Sequence, residues 1–359
     1  MNHLSLLRGS SLFPLRTDGH YALGTLTRVV AVTSAFERTA LREIAEGRDP
    51  LRNVTPTVES ELRQFFLRLD EKGLLNRATE QLHLPHRTSS ESSESDLAIN
   101  QLRARSAPEL AQSEWIDQVG DGGTSTLIAR SHQIIELSGR SRVITLLYSI
   151  LLASGVSKIR FADRHFAPVI SHLDIGFGLI SARDLGAHYY ETLQSHQRGL
   201  SLFPINTDKQ SGCNDEKPAL VIHFGECDPE LLIEWSQKGI PHLIIHPPVG
   251  DEIVTGPLVM PGKSPCNRCL SLYEVDNFGF TTDQKIPLTP LDDVPAAVAY
   301  SLAGIVASQA LAFIDQMHSG NDSPVVRNTG VGEITFLNFQ RLTEPQVVAI
   351  SRHPLCGCD

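Results

Sequence analysis

The rhythm of apolar and polar positions changes twice along this chain of 359 residues. From Ser11 to Val32, short apolar runs are broken at Pro14 and at Thr17-Asp18-Gly19-His20, which predicts short strands joined by turns. The pattern then becomes helical. Phe36 to Ala45 reads as a helix with Ser34 as its N-cap. Pro56 to Lys72 puts Val58, Leu62, Phe65, Phe66 and Leu69 on one face, and Gly73 ends the helix. Residues 1–80 are therefore expected to form a winged-helix-like α+β module for peptide binding or docking. Residues 81–123 follow as a polar, Ser-rich linker and irregular stretch, with His86-Arg-Thr-Ser-Ser-Glu-Ser-Ser-Glu-Ser-Asp96 at its heart.

From residue 124 to the end, strands alternate with helices. Ile134 to Leu137, Lys158 to Ala162, Ala219 to Phe224 and His242 to Ile245 read as strands. Val143 to Ala153 is an apolar helix stopped by Gly155, and another helix separates the last two strands. This order predicts right-handed β-α-β crossovers and a Rossmann-like, mostly parallel α/β sheet. A long helix is expected from Pro295 to Met317 with Asp293 as its cap. Val331 to Phe339 and Gln346 to Ile350 should close the domain as a strand pair.

Composition narrows the function more than the fold. With 31 basic and 41 acidic residues the net charge is −10, which argues against a general nucleic-acid or acidic-membrane binder. The first eighty residues carry eleven basic and ten acidic side chains, too neutral a balance for a dedicated DNA reader. No span of about eighteen residues is free of polar interruption, so no membrane segment is expected. The N-terminus lacks the order of a signal peptide, and the cytoplasm is the expected compartment.

The sharpest chemical signal is a split set of cysteines. Cys266 and Cys269 sit in Pro-Cys-Asn-Arg-Cys, and Cys356 and Cys358 in Cys-Gly-Cys near the end of the chain. Two close pairs make the four thiolates of a tetrahedral structural zinc site, although a C-x-x-C pair can also be redox-active. Cys213 and Cys227 stand outside any such motif and read as ordinary thiols.

The turn after the first strand of the sheet is where a nucleotide phosphate would rest. It reads Gly139-Arg-Ser-Arg-Val-Ile144. Laid on G-x-G-x-x-G, Gly139 keeps the first place, Ser141 takes the second and Ile144 the third. Asp163 stands where the ribose-binding acid is expected. Arg140 and Arg142 could serve as phosphate ligands or stay solvated. Asp228 could hold magnesium, but Asp228-Pro229-Glu230 also fits a helix start. Gly139, Ser141, Arg142, Asp163 and Asp228 are thus the cofactor-binding candidates, for a nucleotide site with a worn phosphate cradle.

Three segments carry a family resemblance. They are Gly256-Pro-Leu-Val-Met-Pro-Gly-Lys-Ser-Pro-Cys-Asn-Arg-Cys-Leu270, Asp228-Pro with Gly239-Ile-Pro-His242, and His353-Pro-Leu-Cys-Gly-Cys358. With the long helix around Ala303 to Leu311, they resemble the ThiF-like, ubiquitin-activating-type adenylyltransferase superfamily. The chain is most similar to ThiF-like cyclodehydratase-domain proteins of azole-type bacteriocin biosynthesis. The resemblance implies zinc on the four cysteines, and ATP with magnesium in active members, which adenylate the C-terminal carboxylate of a peptide or small carrier protein. In the peptide-modifying branch it implies a scaffold that captures a leader peptide for a YcaO-type partner enzyme, with homodimerisation as a further option. This chain lacks the Asn-x-x-Arg that should follow the ribose acid and has Ala187 where a basic residue should follow Gly186. The scaffold is therefore the expected role, with an active adenylyltransferase as the alternative.

Overall fold

The computed structural model describes residues 4–16, 19–76, 92–114, 123–162, 168–203, 216–281, 293–319 and 329–358. Two compact units divide the chain, Met1–Leu127 and Ile128–Asp359.

In the first unit, β1 (Ser5–Leu6), β2 (Ser11–Pro14), β3 (Tyr21–Gly24) and β4 (Val29–Val32) lead into α1 (Ala35–Ala45), α2 (Pro56–Glu71) and β5 (Leu75–Asn76). Strands β2, β3 and β4 form an antiparallel sheet in that order, and β1 pairs with β5. The helical stripe read from the sequence is what holds the unit together. Leu62, Phe65, Phe66 and Leu69 of α2 are buried with Leu23, Val30 and Val32 of the sheet and Leu41 and Ile44 of α1. Ser34 caps α1 in a capping box with Glu37, whose buried carboxylate also accepts from Arg68 at 2.5 Å.

The irregular stretch expected before Gly123 is in part a helix, α3 (Ser92–Glu114). The Ser-rich start conceals a run of helix formers, Leu97-Ala98 through Ala104-Arg105. Ser106, Leu110 and Ser113 are buried on it, a stripe too polar to be recognised as apolar periodicity. The rest of the expected linker, residues 77–91 and 115–122, lies outside the described residues.

Helix α4 (Thr124–His132) enters the second unit. There follow β6 (Ile134–Ser138), α5 (Arg142–Ala153), β7 (Lys158–Phe161), α6 (Tyr189–Leu200), β8 (Leu220–Phe224), α7 (Pro229–Gln237), β9 (His242–Ile245), β10 (Glu252–Val259), α8 (Asn267–Phe278), α9 (Ala296–Ser319), β11 (Glu333–Asn338) and β12 (Gln346–Ala349). One seven-stranded sheet runs β12-β11-β10-β9-β8-β6-β7. The β7-β6-β8-β9 half is parallel, and β10, β11 and β12 extend it antiparallel. Five strands therefore point the same way, and the fold is the mostly parallel α/β sheet read from the strand–helix alternation.

Both faces of the sheet are covered, as parallel strands require. On one face, Ile135, Leu137, Ile222, Leu243, Ile245, Ile253 and Leu337 pack under α5, α6 and α9. On the other, Trp235 of α7 covers Val221 and Leu270 of α8 covers Ile334. Helix α9 is long and apolar enough to cross a membrane by length and composition. Its burial gives the reason for that composition: Val298, Leu302, Val306, Ala310 and Phe313 are core residues. Asp315 on the same helix forms a buried bidentate pair with Arg130 of α4, both bonds at 2.8 Å, while Arg130 Nη1 donates to Ser154 O.

Candidate functional site

The four cysteines converge. Cys266 occupies the N-cap of α8 and Cys269 lies in its first turn, while Cys356 and Cys358 come from the loop after β12. All four sulfurs lie within 4.8 Å of one another. Cys266 Sγ is 3.9 Å from Cys269 Sγ and 3.3 Å from Cys356 Sγ, and Cys269 Sγ is 3.4 Å from Cys358 Sγ. Zinc–sulfur bonds of about 2.3 Å in a tetrahedron would set sulfurs about 3.8 Å apart, so the set fits a metal of that size. Gly357 makes the short Cys-Gly-Cys turn possible, since its φ of +67° is a backbone conformation other residues rarely adopt.

The surroundings act on the thiols in opposite directions, lowering Cys269 and raising Cys356 and Cys358. Burial pushes the Cys269 thiol up, but backbone N–H donation from His353 and Cys266 and the neighbouring thiols outweigh it and bring it to about 7. Burial and the adjoining sulfurs push Cys356 up. The His353 N–H donates to Cys269 Sγ at 3.4 Å, and its Nε2 meets Asp276 Oδ2 at 2.9 Å. That ring ties the last loop of the chain to α8. Next to Cys266, Asn267 Nδ2 donates to His242 Nε2 at 3.1 Å, and His242 Nδ1 donates to Ile240 O at 3.0 Å. Burial lowers the pKa of His242, so it sits there as a neutral ring. The strand pair expected at the end of the chain thus does more than close the sheet: it delivers half of the cluster.

The second site, the turn between β6 and α5, is organised differently. Gly139 has φ +84°, and a Cβ there would meet Phe224 O at 2.1 Å, so the first glycine is required by close backbone approach. Ser141 is the N-cap of α5 in extended backbone, its Oγ accepting from Ile144 N–H at 3.2 Å. Its carbonyl is braced by Tyr189 Oη at 3.1 Å, and Tyr189 Oη also lies 2.6 Å from Thr145 Oγ1.

The two arginines of the turn are occupied. Arg140 donates to Ser171 Oγ at 2.7 Å and to the buried carboxylate of Asp174. Arg142 Nε donates to Leu173 O at 2.9 Å and Nη1 to Val294 O at 3.1 Å, with the guanidinium 4.2 Å over the Phe177 ring. The Arg142 backbone N–H donates to Asp293 Oδ2 at 3.0 Å. Asp293, expected as the cap of α9, therefore reaches across to α5. A phosphate at this helix end would find both guanidiniums and the Arg142 and Ile144 N–H groups already in use, and would face two carboxylates, Asp174 and Asp293. In this conformation the turn does not fit one.

Of the remaining candidates, Asp228 caps α7, with Oδ1 accepting from Glu230 N–H at 2.9 Å. Asp163 and Cys213 lie outside the described residues. Cys227 is half-buried beside the α7 cluster. Asp174, Asp293, Tyr189 and His353 were not legible as site residues. Each acts through a partner far along the chain, and no local spacing announces it.

The chain matches no protein-family model, and no curated protein matches it in sequence. Its fold, however, is that of solved structures along the whole chain. One is Escherichia coli MccB with AMPCPP and MccA, at 14% identity and a TM-score of 0.63, covering 99% of this chain and 98% of that one. Another is the microcin C7 biosynthetic enzyme MccB in complex with N-formylated MccA, at 15% identity and a TM-score of 0.62, covering 99% of both chains. A third is PaaA, at 16% identity and a TM-score of 0.59, covering 96% of this chain and 99% of that one. At these identities the likeness is one of fold.

Proposed function

We propose that this protein is a zinc-clasped scaffold of a peptide-modification system. It captures a peptide through its N-terminal unit and presents it to a partner enzyme, of the YcaO type that the family resemblance implies. It does not adenylate a carboxylate by itself. The observation that carries this reading is the commitment of the α5 turn: Ser141 caps its own helix, and Arg140 and Arg142 are bound to Asp174, Leu173 and Val294. Zinc on Cys266, Cys269, Cys356 and Cys358 would be structural, clasping the end of the chain to α8. A thiolate site of this kind suits a reducing compartment, the cytoplasm.

Two features support peptide capture. The fold is shared with MccB, which has been solved with the MccA peptide bound. In the N-terminal unit, β4 is an edge of its sheet, and Leu26, Val29 and Phe36 beside it are exposed, Leu26 at 94%. A sheet edge that pairs with no further strand among the described residues, flanked by apolar side chains, suits an extended peptide, which can supply main-chain hydrogen bonds. The test is ATP-dependent pyrophosphate exchange on zinc-loaded protein, offered peptides with free C-terminal carboxylates. No exchange is expected, and robust exchange would overturn the reading.

One observation favours the alternative, an active adenylyltransferase. The same full-length fold has been solved as MccB with ATP, at 14% identity. In that case Gly139, Ser141 and Arg142 would hold phosphates, Asp163 the ribose and Asp228 magnesium. Exchange that disappears in Asp163→Ala would decide for it.

A further inference from the structure

The N-terminus of α5 already holds an anion, and the anion belongs to the protein. Asp293 places Oδ2 on the Arg142 N–H at 3.0 Å and Oδ1 on the Val294 N–H at 2.7 Å. The start of a helix carries partial positive charge and free N–H donors, which is why phosphates bind there. A carboxylate seated on the same N–H takes that place. Arg142 is fastened to the same segment twice, by its backbone N–H to Asp293 and by Nη1 to Val294 O. The start of α9 is thereby stapled to the start of α5. A second carboxylate, Asp174, stands close by and is held by Arg140, Ser171 N–H at 2.7 Å and Ser171 Oγ at 3.0 Å.

This inference rests on the reading of a shut turn and says what shuts it. We propose that Asp293 is an autoinhibitory contact: its carboxylate and a phosphate-bearing ligand exclude each other at the N-terminus of α5, and the first turn of α9 moves when the carboxylate leaves. The exclusion is electrostatic as well as steric. A phosphate oxygen accepting from the Arg142 N–H would lie beside the Asp293 carboxylate, where like charges repel strongly at low effective dielectric. Asp293 is also a carboxylate whose charge is poorly accommodated. Burial raises its pKa, and the nearby charge of Asp174 adds to this, against the lowering effect of its two N–H bonds and of Arg142.

The experiment uses the full-length, zinc-loaded protein, titrated calorimetrically with magnesium ATP and, separately, with inorganic tripolyphosphate. The variants are Asp293→Asn, which removes the charge and keeps an acceptor, and Asp174→Asn, which removes the charge facing Arg140 but leaves the Asp293 contact in place. Wild-type protein should give no isotherm with either probe. Asp293→Asn should bind both at least about tenfold above the wild-type limit, as expected for an anion regaining a helix N-terminus. Asp174→Asn should gain less. If Asp293→Asn does not fold, Asp293→Ser keeps a capping hydroxyl and carries the test instead. A folded Asp293 variant that binds no better than wild type refutes the contact while leaving the scaffold reading intact. Wild-type protein that binds magnesium ATP breaks the scaffold reading. In that event the contact survives only if Asp293→Asn binds tighter still by the same factor.

Discussion

The cysteine cluster and the phosphate turn use the same local device to opposite ends. Each is a loop that runs into the N-terminus of a helix, α8 in one and α5 in the other. At α8 the N-cap is Cys266, which makes no side-chain capping bond, and its sulfur faces three others. At α5 the N-cap is Ser141, which bonds to its own helix, and Asp293 takes a further N–H. One helix start is left open for a cation held by thiolates. At the other, two N–H groups are taken by the protein's own oxygen atoms. A glycine turn and a strand–helix order are therefore insufficient to define a nucleotide site. What decides is whether the donors at the helix end are free.

The largest expected effect lies on the metal side. Cys358→Ser, or a strong chelator, should remove about one equivalent of zinc and collapse the C-terminal clasp, since metal-coupled folding energies are on the order of 10 kcal/mol. Metal analysis with thermal melting reads this, and a metal-free protein with an unchanged melting temperature would refute the clasp. Next comes the buried ion pair between α4 and α9. Asp315→Ala removes the carboxylate that balances the buried Arg130 charge and should cost about 3–5 kcal/mol in urea unfolding; a cost below the error of the titration would show that the pair adds little to stability.

Smaller changes separate the two helix starts. Gly139→Ala forces a Cβ against Phe224 O in left-handed backbone and should cost roughly 1–3 kcal/mol, with the zinc content unchanged. Ser141→Ala removes the α5 cap and should cost about 1 kcal/mol. Ser141→Gly, which brings the turn nearer the dinucleotide pattern, should cost only a few tenths and should not restore ATP binding, because Asp293 stays. A gain of binding in Ser141→Gly would place the block at the serine instead. Asp228→Ala should likewise cost about 1 kcal/mol from the loss of the α7 cap. A specific effect on magnesium affinity in that variant would give Asp228 a role beyond capping.

Much of the fold could be read from the chain because its cues are local. Ser34 and the Val58–Leu69 stripe announce α1 and α2, and Asp228-Pro229 announces α7. The elements that escaped reading lack such cues. Strand β10 contains Gly256-Pro257 and is buried almost throughout, so it shows neither alternation nor an uninterrupted strand-forming run. Helix α8 buries Asn267 and Glu274 alongside Leu270, which blurs its apolar face. Helix α6 begins after an exposed, irregular loop with no side-chain cap. The same division holds in the sites. Paired spacing made the four cysteines visible, whereas Asp293 lies 151 positions from the N–H it accepts and Asp174 lies 34 from Arg140. Only the folded chain shows that these carboxylates meet the turn.

The central claim is that the metal clasp persists while the nucleotide turn is shut. The most direct test is to titrate magnesium ATP into zinc-loaded wild-type protein by calorimetry, with the zinc content measured on the same sample. The account predicts about one zinc per chain and a flat isotherm. A saturable isotherm that is lost in Asp163→Ala would contradict it.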